Sequence, residues 1–186
     1  MNGNDQRFDY QAVIDRHYPA GSRRRDIYMR HCRSVADKAA AIARDRALPL
    51  EAADIEAAAM LHDIGIFLTD APGIDCHGTL PYLAHGYAGA DLLRQEGVPE
   101  RYARVAERHT GSGLTPEEIA ASGLPLPAGR SYLPETLLER LVCYADKFYS
   151  KSGDMEEKPL ERVRASIARF GTEAAARFEK LRGEFD

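Results

Sequence analysis

Residues 51–65 read EAADIEAAAMLHDIG. The stretch is rich in alanine and ends on the apolar run Ala57 to Leu61, and His62 and Asp63 then follow side by side. Alanine is the most favourable residue in a helix, and a helix this poor in polar side chains is built for burial. A buried imidazole or carboxylate without a partner costs several kcal/mol. The spacing predicts a helix from near Pro49, with Gly65 as its stop. Neighbours on a helix point about 100° apart. His62 and Asp63 can therefore reach one ion from two sides only at a helix end, where a carboxylate can also bridge two ions.

Working outward, helical periodicity runs through nearly the whole chain, with almost no strand alternation. A short helix is expected around Tyr10 to His17, before Pro19, and a long amphipathic one from Asp26 through DIYMRHCRSVADKAAAIARDR. Further helices are expected in YLAHGYAGADLLRQEG, closed by Gly97, in PERYARVAERHTG, closed by Gly111, and at Thr115, where TPEE carries capping chemistry. PETLLERLVCYADKFYS is strongly amphipathic, and the charged segment from about Pro159 onward is helical again. Residues 67–81 and 123–134 have no clear period and read as connectors that select the substrate. The expected fold class is all-α: one compact domain over residues 1–186, with a core at 25–150 and helical extensions at both ends.

Three other histidines and one aspartate fall on buried faces. Residues at i, i+3, i+4 and i+7 share one side of a helix. His31 stands four from both Ile27 and Val35; His85 precedes Gly89 by four and Leu92 by seven; His109 follows Val105 by four and Tyr102 by seven. Asp146 follows Val142 by four. A single such histidine is more often hydrogen-bonded to a carbonyl than coordinated. Five sites with the same orientation make metal coordination the simplest common cause.

Composition narrows the function. The chain has 186 residues, 44% of them hydrophobic, which suits one full-sized core. Its 25 basic and 29 acidic residues give a net charge of −4, against a surface devoted to nucleic-acid polymers or anionic membranes. Cys32, Cys76 and Cys143 lack zinc-knuckle or redox spacing and read as reduced thiols. The polar opening MNGNDQRFDY lacks the apolar core of a signal peptide, so the expected location is cytoplasmic.

The order His31, His62-Asp63, His85, His109, Asp146, set in HCRSVADKA, MLHDIG, HGYAGADLL, RHTGSGLT and CYADK, resembles the HD-domain superfamily of metal-dependent phosphohydrolases over residues 25–150. HGYAGA, RHTG and ADK are similar to the two-metal subgroup that includes symmetrical diadenosine tetraphosphatases. ERHTGSGLTPEEI with YLPETLLERLV looks closer still to a group of small uncharacterised HD-domain proteins. The resemblance implies an all-helical fold. It implies one metal on His31, His62, Asp63 and Asp146 and a second on His85 and His109, with Asp63 bridging and orienting the attacking water. Four imidazoles and two carboxylates suit two divalent transition metal ions, Fe, Mn, Zn, Co or Ni, better than Ca or Mg.

One departure from the pattern concerns charge. Many members carry a lysine just after HDIG that helps hold phosphate, whereas this chain has Ile66 and Phe67. Lys147, Arg108 and Arg24, within the run Arg23-Arg24-Arg25, are the candidate phosphate-binding cations, and backbone N–H groups of residues 110–113 are a further option. His77 is the candidate general acid toward the leaving oxygen. His17 reads as an ordinary surface residue.

The expected function is hydrolysis of a phosphoester or phosphoanhydride of a small phosphorylated substrate, a nucleotide being the leading candidate, by two-metal activation of water. An HD-fold di-iron oxygenase and a non-catalytic metal-dependent nucleotide sensor are the alternatives. The amphipathic terminal helices leave room for a homodimer.

Overall fold

The computed structural model describes residues 8–186; the first seven residues, part of the polar opening on which the expectation of no leader rests, lie outside them. The fold is all-α. Among the described residues the chain runs through α1 (Tyr10–His17), α2 (Arg23–Asp45), α3 (Ala52–Leu61), α4 (His85–Gln95), α5 (Glu100–Arg108), α6 (Pro116–Ser122), α7 (Leu137–Asp146), α8 (Leu160–Ala168) and α9 (Thr172–Phe185). No helix among these residues is long and apolar enough to cross a membrane.

Helix α3 is polar only at Asp54 and Glu56, which pair with Arg101 and Arg33, and its position explains why. It packs against α2, α5 and α7 and buries Ile55 and the run Ala57, Ala58, Ala59, Met60 and Leu61. It starts at Ala52, slightly later than the sequence predicts, and ends at Leu61, before Gly65. Side chains stand in for the missing turn of backbone donors at that end. The Tyr28 hydroxyl donates to Met60 O, and the Tyr18 hydroxyl donates to Ile64 O at 2.9 Å.

Gly65 is therefore not the helix stop that the sequence predicts. It lies in a 3-10 turn, Ile64–Leu68, directly against α4. A Cβ on Gly65 would sit 2.3 Å from His85 O and 2.5 Å from Gly89 N. The two glycines let the backbone after α3 touch the start of α4, so the residues just before Gly65 meet those at the head of α4.

Helix α2 starts at Arg23, earlier than predicted, because the Ser22 side chain accepts from Arg25 N–H and caps it. Its buried stripe is Tyr28, His31, Cys32, Val35, Ala36, Ala39 and Ala43. Helices α6 and α7 each begin with a full capping box, Thr115 with Glu118 and Thr136 with Glu139. Residues 67–81 hold more order than predicted: a two-residue antiparallel ladder pairs Asp70 with His77 and Ala71 with Cys76. The closing charged segment forms two helices, separated at Gly171, whose φ of +107° suits glycine. Tyr144 of α7 packs on Phe178 and Phe185 of α9, and Ser112 donates to Ala174 O at 2.8 Å, docking this pair of helices on the core.

Candidate metal centre and its cleft

Five elements deliver His31, His62, Asp63, His85, His109 and Asp146 to one buried place. His31 comes from mid-α2, where the stripe Tyr28, His31, Val35 turns it inward. His62 and Asp63 follow the last residue of α3, His109 follows the last of α5, and Asp146 is the last of α7. His85 is the first residue of α4. Three helix C-termini thus converge, and their partial negative charge favours a cation.

The six side chains divide into two groups that share Asp63. In the first, His31 Nε2 lies 3.1 Å from Asp63 Oδ2, 3.0 Å from Asp146 Oδ1 and 3.3 Å from His62 Nε2. In the second, His85 Nε2 lies 3.0 Å from His109 Nε2, and these two stand 3.4 and 3.3 Å from Asp63 Oδ1. Donor atoms about 2.1 Å from a shared ion would stand ~3.0 Å apart at octahedral corners and ~3.4 Å at tetrahedral ones. The observed spacings span that range, and Asp63 turns one oxygen to each group.

Proton accounting also calls for a cation. The Nδ1 atoms of His62, His85 and His109 face Ala59 O at 2.6 Å, Tyr82 O at 2.6 Å and Ala106 O at 2.7 Å. A carbonyl only accepts, so each Nδ1 carries the hydrogen, and the rings of His85 and His109, whose pKa values burial lowers, are neutral and present a bare Nε2 lone pair. Two such lone pairs face one another across 3.0 Å at His85 and His109. Among the described residues, neither oxygen of the buried Asp63 accepts a well-formed hydrogen bond. A proton on His85 is disfavoured, since burial and the neighbouring His109 push its pKa down to about 3. Burial opposes ionisation of Asp63, but Lys151 and His62 outweigh it and hold its carboxyl well below the usual range. The donor set therefore fits divalent metal ions.

The HD domain family matches residues 28–150. The chain belongs to this family. It is also 35% identical to a protein of Thermoplasma volcanium named tRNA (cytidine(56)-2'-O)-methyltransferase, over 93% of this chain and 45% of the relative. A protein of Picrophilus torridus with the same name is 36% identical over 67% of this chain and 32% of its own length. An uncharacterised protein of Methanocaldococcus jannaschii is 36% identical over 62% of each. The chain thus spans a third to under two-thirds of the curated relatives it matches. No solved structure shows a significant match.

In this HD domain a cleft of about 520 Å³ opens beside the cluster and reaches it at Asp146. Asp146 lies in its wall with Lys147, Lys151 and Lys158; Ala71, Gly73 and Ile74 also line it, as do Val163, Ser166, Ile167 and Phe170. Only the first of the two predicted substrate connectors contributes. Residues 123–134 stay away from the cleft wall, and Arg130 there is engaged with Asp91 and Glu107.

The predicted phosphate-binding residues are largely committed elsewhere. Lys147 is buried in the wall, where its Nζ donates to His109 O at 2.8 Å and pairs with Asp146 Oδ2 at 2.7 Å, fixing two members of the cluster. Arg108 turns away, to Glu135 at 2.7 Å and Glu139 at 3.3 Å. The Arg24 guanidinium lies over the Tyr18 and Phe67 rings, at 5.7 and 5.9 Å. His77 is exposed on the short ladder and faces Asp75 at 3.4 Å; no contact joins it to the six-residue cluster among the described residues. His17 is not the ordinary surface residue expected: its side chain is 18% exposed, pairs with Glu96 and stacks on Phe67.

The residue that sequence reasoning missed is Lys151. Its side chain is 13% exposed, and its Nζ stands 2.7 Å from Asp63 Oδ2. Burial works against its charge, yet Asp63 and its other neighbours hold its pKa well above the usual lysine value. It lies in the irregular segment after α7, where no periodicity marks an inward face.

Proposed function

We propose that this chain is a metal-dependent phosphohydrolase acting on a small phosphorylated molecule, with a nucleotide as the leading substrate class. The observation that carries the reading is the division of the six side chains into two groups sharing Asp63, one oxygen to each. His31, His62, Asp63 and Asp146 would hold one ion, and His85 and His109 with Asp63 a second. Divalent ions held there supply a water acidic enough to attack at neutral pH and polarise a phosphoryl oxygen.

The rest of the work falls to the chain itself. The carbonyls of Ala59, Tyr82 and Ala106 fix the tautomers of three imidazoles, which keeps their Nε2 atoms aimed inward. Lys147 ties Asp146 to the end of α5. The apolar part of the cleft lining, with Val163, Ile167 and Phe170, suits the part of the substrate beyond its phosphate.

The name that two relatives carry concerns tRNA methylation, and it belongs to proteins of which this chain covers 45% and 32%. A net charge of −4 and a cleft of about 520 Å³ favour a small molecule over a polymer. The test is phosphate release from mononucleotides, dinucleoside polyphosphates and tRNA ends by protein loaded with Mn, Fe or Co. Selective turnover of a small nucleotide, lost in Asp63→Asn, is the expected result. Redox activity with iron and no phosphate release from any substrate would move the assignment to an oxygenase.

A further inference from the structure

We infer that Lys151 is the cation that holds the substrate phosphoryl group, taking the place of the lysine absent after HDIG; the inference rests on the phosphohydrolase reading and deepens it. The positions that could have carried that lysine point the wrong way, since Ile66 is fully buried in the core and Phe67 packs on His17 and Tyr18. Lys147 is held between His109 O and Asp146, Arg108 between Glu135 and Glu139, and Arg24 over two aromatic rings. Lys151 alone among these candidates meets two conditions. It lines the cleft, and its Nζ touches the shared carboxylate at 2.7 Å.

Its charge also has the right availability. Asp63 carries one negative charge, and ions bound by its two oxygens would draw on it from both sides. The attraction holding Lys151 to Asp63 then weakens, while an incoming phosphate dianion offers a stronger partner at the same end of the cleft. A compact ammonium with three donors and a flexible stem can turn from one to the other. Tyr82 borders its path, with Lys151 Nζ 5.8 Å from the ring centre.

The experiment compares wild type, Lys151→Gln, Lys151→Met and Lys151→Arg, each loaded with Mn. Three quantities are measured: bound metal by elemental analysis, the Kd of inorganic phosphate by calorimetry, and KM and kcat for AMP. The expected result is full metal retention in every variant, with phosphate affinity falling roughly tenfold to a hundredfold in the Gln and Met variants, as loss of a charge-assisted hydrogen bond predicts. Lys151→Arg should recover most of the affinity. Unchanged phosphate affinity in Lys151→Gln or Lys151→Met would overturn the inference, as would loss of metal in both, which would make Lys151 a support for Asp63. A wild type that binds phosphate through Lys151 yet hydrolyses no phosphoester would remove the hydrolase reading and leave this one standing.

Discussion

Gly65 and Gly89 meet backbone to backbone, so that a methyl group on Gly65 would lie 2.5 Å from Gly89 N and 2.3 Å from His85 O. All three atoms are main chain or bound to it, and no rotamer change relieves the clash. Gly65→Ala should cost about 3 kcal/mol, at the upper end of overpacking substitutions, which lowers Tm by roughly 6–12 °C for a chain of this size. Gly73→Ala is the control, because a methyl group there would meet nothing within 4 Å and its backbone lies outside the left-handed region. Equal melting temperatures for the two variants would sink the account. The same clash displaces His85 from Asp63, so Gly65→Ala should also lose metal.

The shared carboxylate makes metal loss unequal among the ligand positions. His85→Ala or His109→Ala should keep roughly one ion of two, His31→Ala or His62→Ala the other, and Asp63→Asn neither. Chelator-treated wild type should melt at a lower temperature, and ion added to a hundredfold excess over its Kd should restore ~2.7 kcal/mol. Elemental analysis and thermal melts read both effects. Full metal content in Asp63→Asn would remove the bridging assignment.

Acid should weaken the protein through Glu139. This buried carboxylate is the third residue of the α7 capping box and faces Arg104 at 2.7 Å and Arg108 at 3.3 Å. Burial pushes its pKa up, but the Glu135 N–H and Arg104 outweigh burial and hold it below its ordinary 4.5. A carboxylate with a depressed folded pKa contributes stability above the unfolded value, and that contribution is lost as pH falls from about 4.5 through the folded pKa. Glu139→Gln should lower stability at pH 7 by roughly 1 kcal/mol, since Arg104 and Arg108 keep Glu135 as a partner, and flatten the dependence below pH 4.5. Denaturant melts at pH 7 and pH 3.5 give the comparison; parallel losses in both proteins would refute it.

What the sequence makes legible is whatever repeats along a helix. The inward faces of His31, His85, His109 and Asp146 follow from three- and four-residue spacing to apolar neighbours, and the structure brings all four to one place with His62 and Asp63. Gly65 misleads because local sequence favours a helix stop at any glycine, whereas its role is set by Gly89, 24 positions on. Lys147, Arg108 and Arg24 stand out for their charge, but charge says nothing about the carboxylates, carbonyls and aromatic rings they meet. Lys151 is invisible for the converse reason: it sits past the last turn of α7 in a segment without period, and only its contact with Asp63 distinguishes it.

The exposed aromatic side chain of the cleft lining yields the last prediction. Phe170 is 71% exposed, an unusual state for a large apolar side chain, and it borders the cleft beside Val163 and Ile167. It follows α8, beyond the residues that the HD domain family matches, so its placement is a feature of this chain's closing helices. A planar base seated against it would gain about 1–3 kcal/mol from stacking. Phe170→Ala should therefore raise KM for a mononucleotide roughly fivefold or more, with kcat little changed, because a contact remote from the phosphorus acts on binding alone. KM for ribose 5-phosphate, which lacks a base, should stay the same. Equal changes for both substrates would mean that Phe170 shapes the cleft without touching the base, and no change for either would place the non-phosphate part of the substrate against another wall.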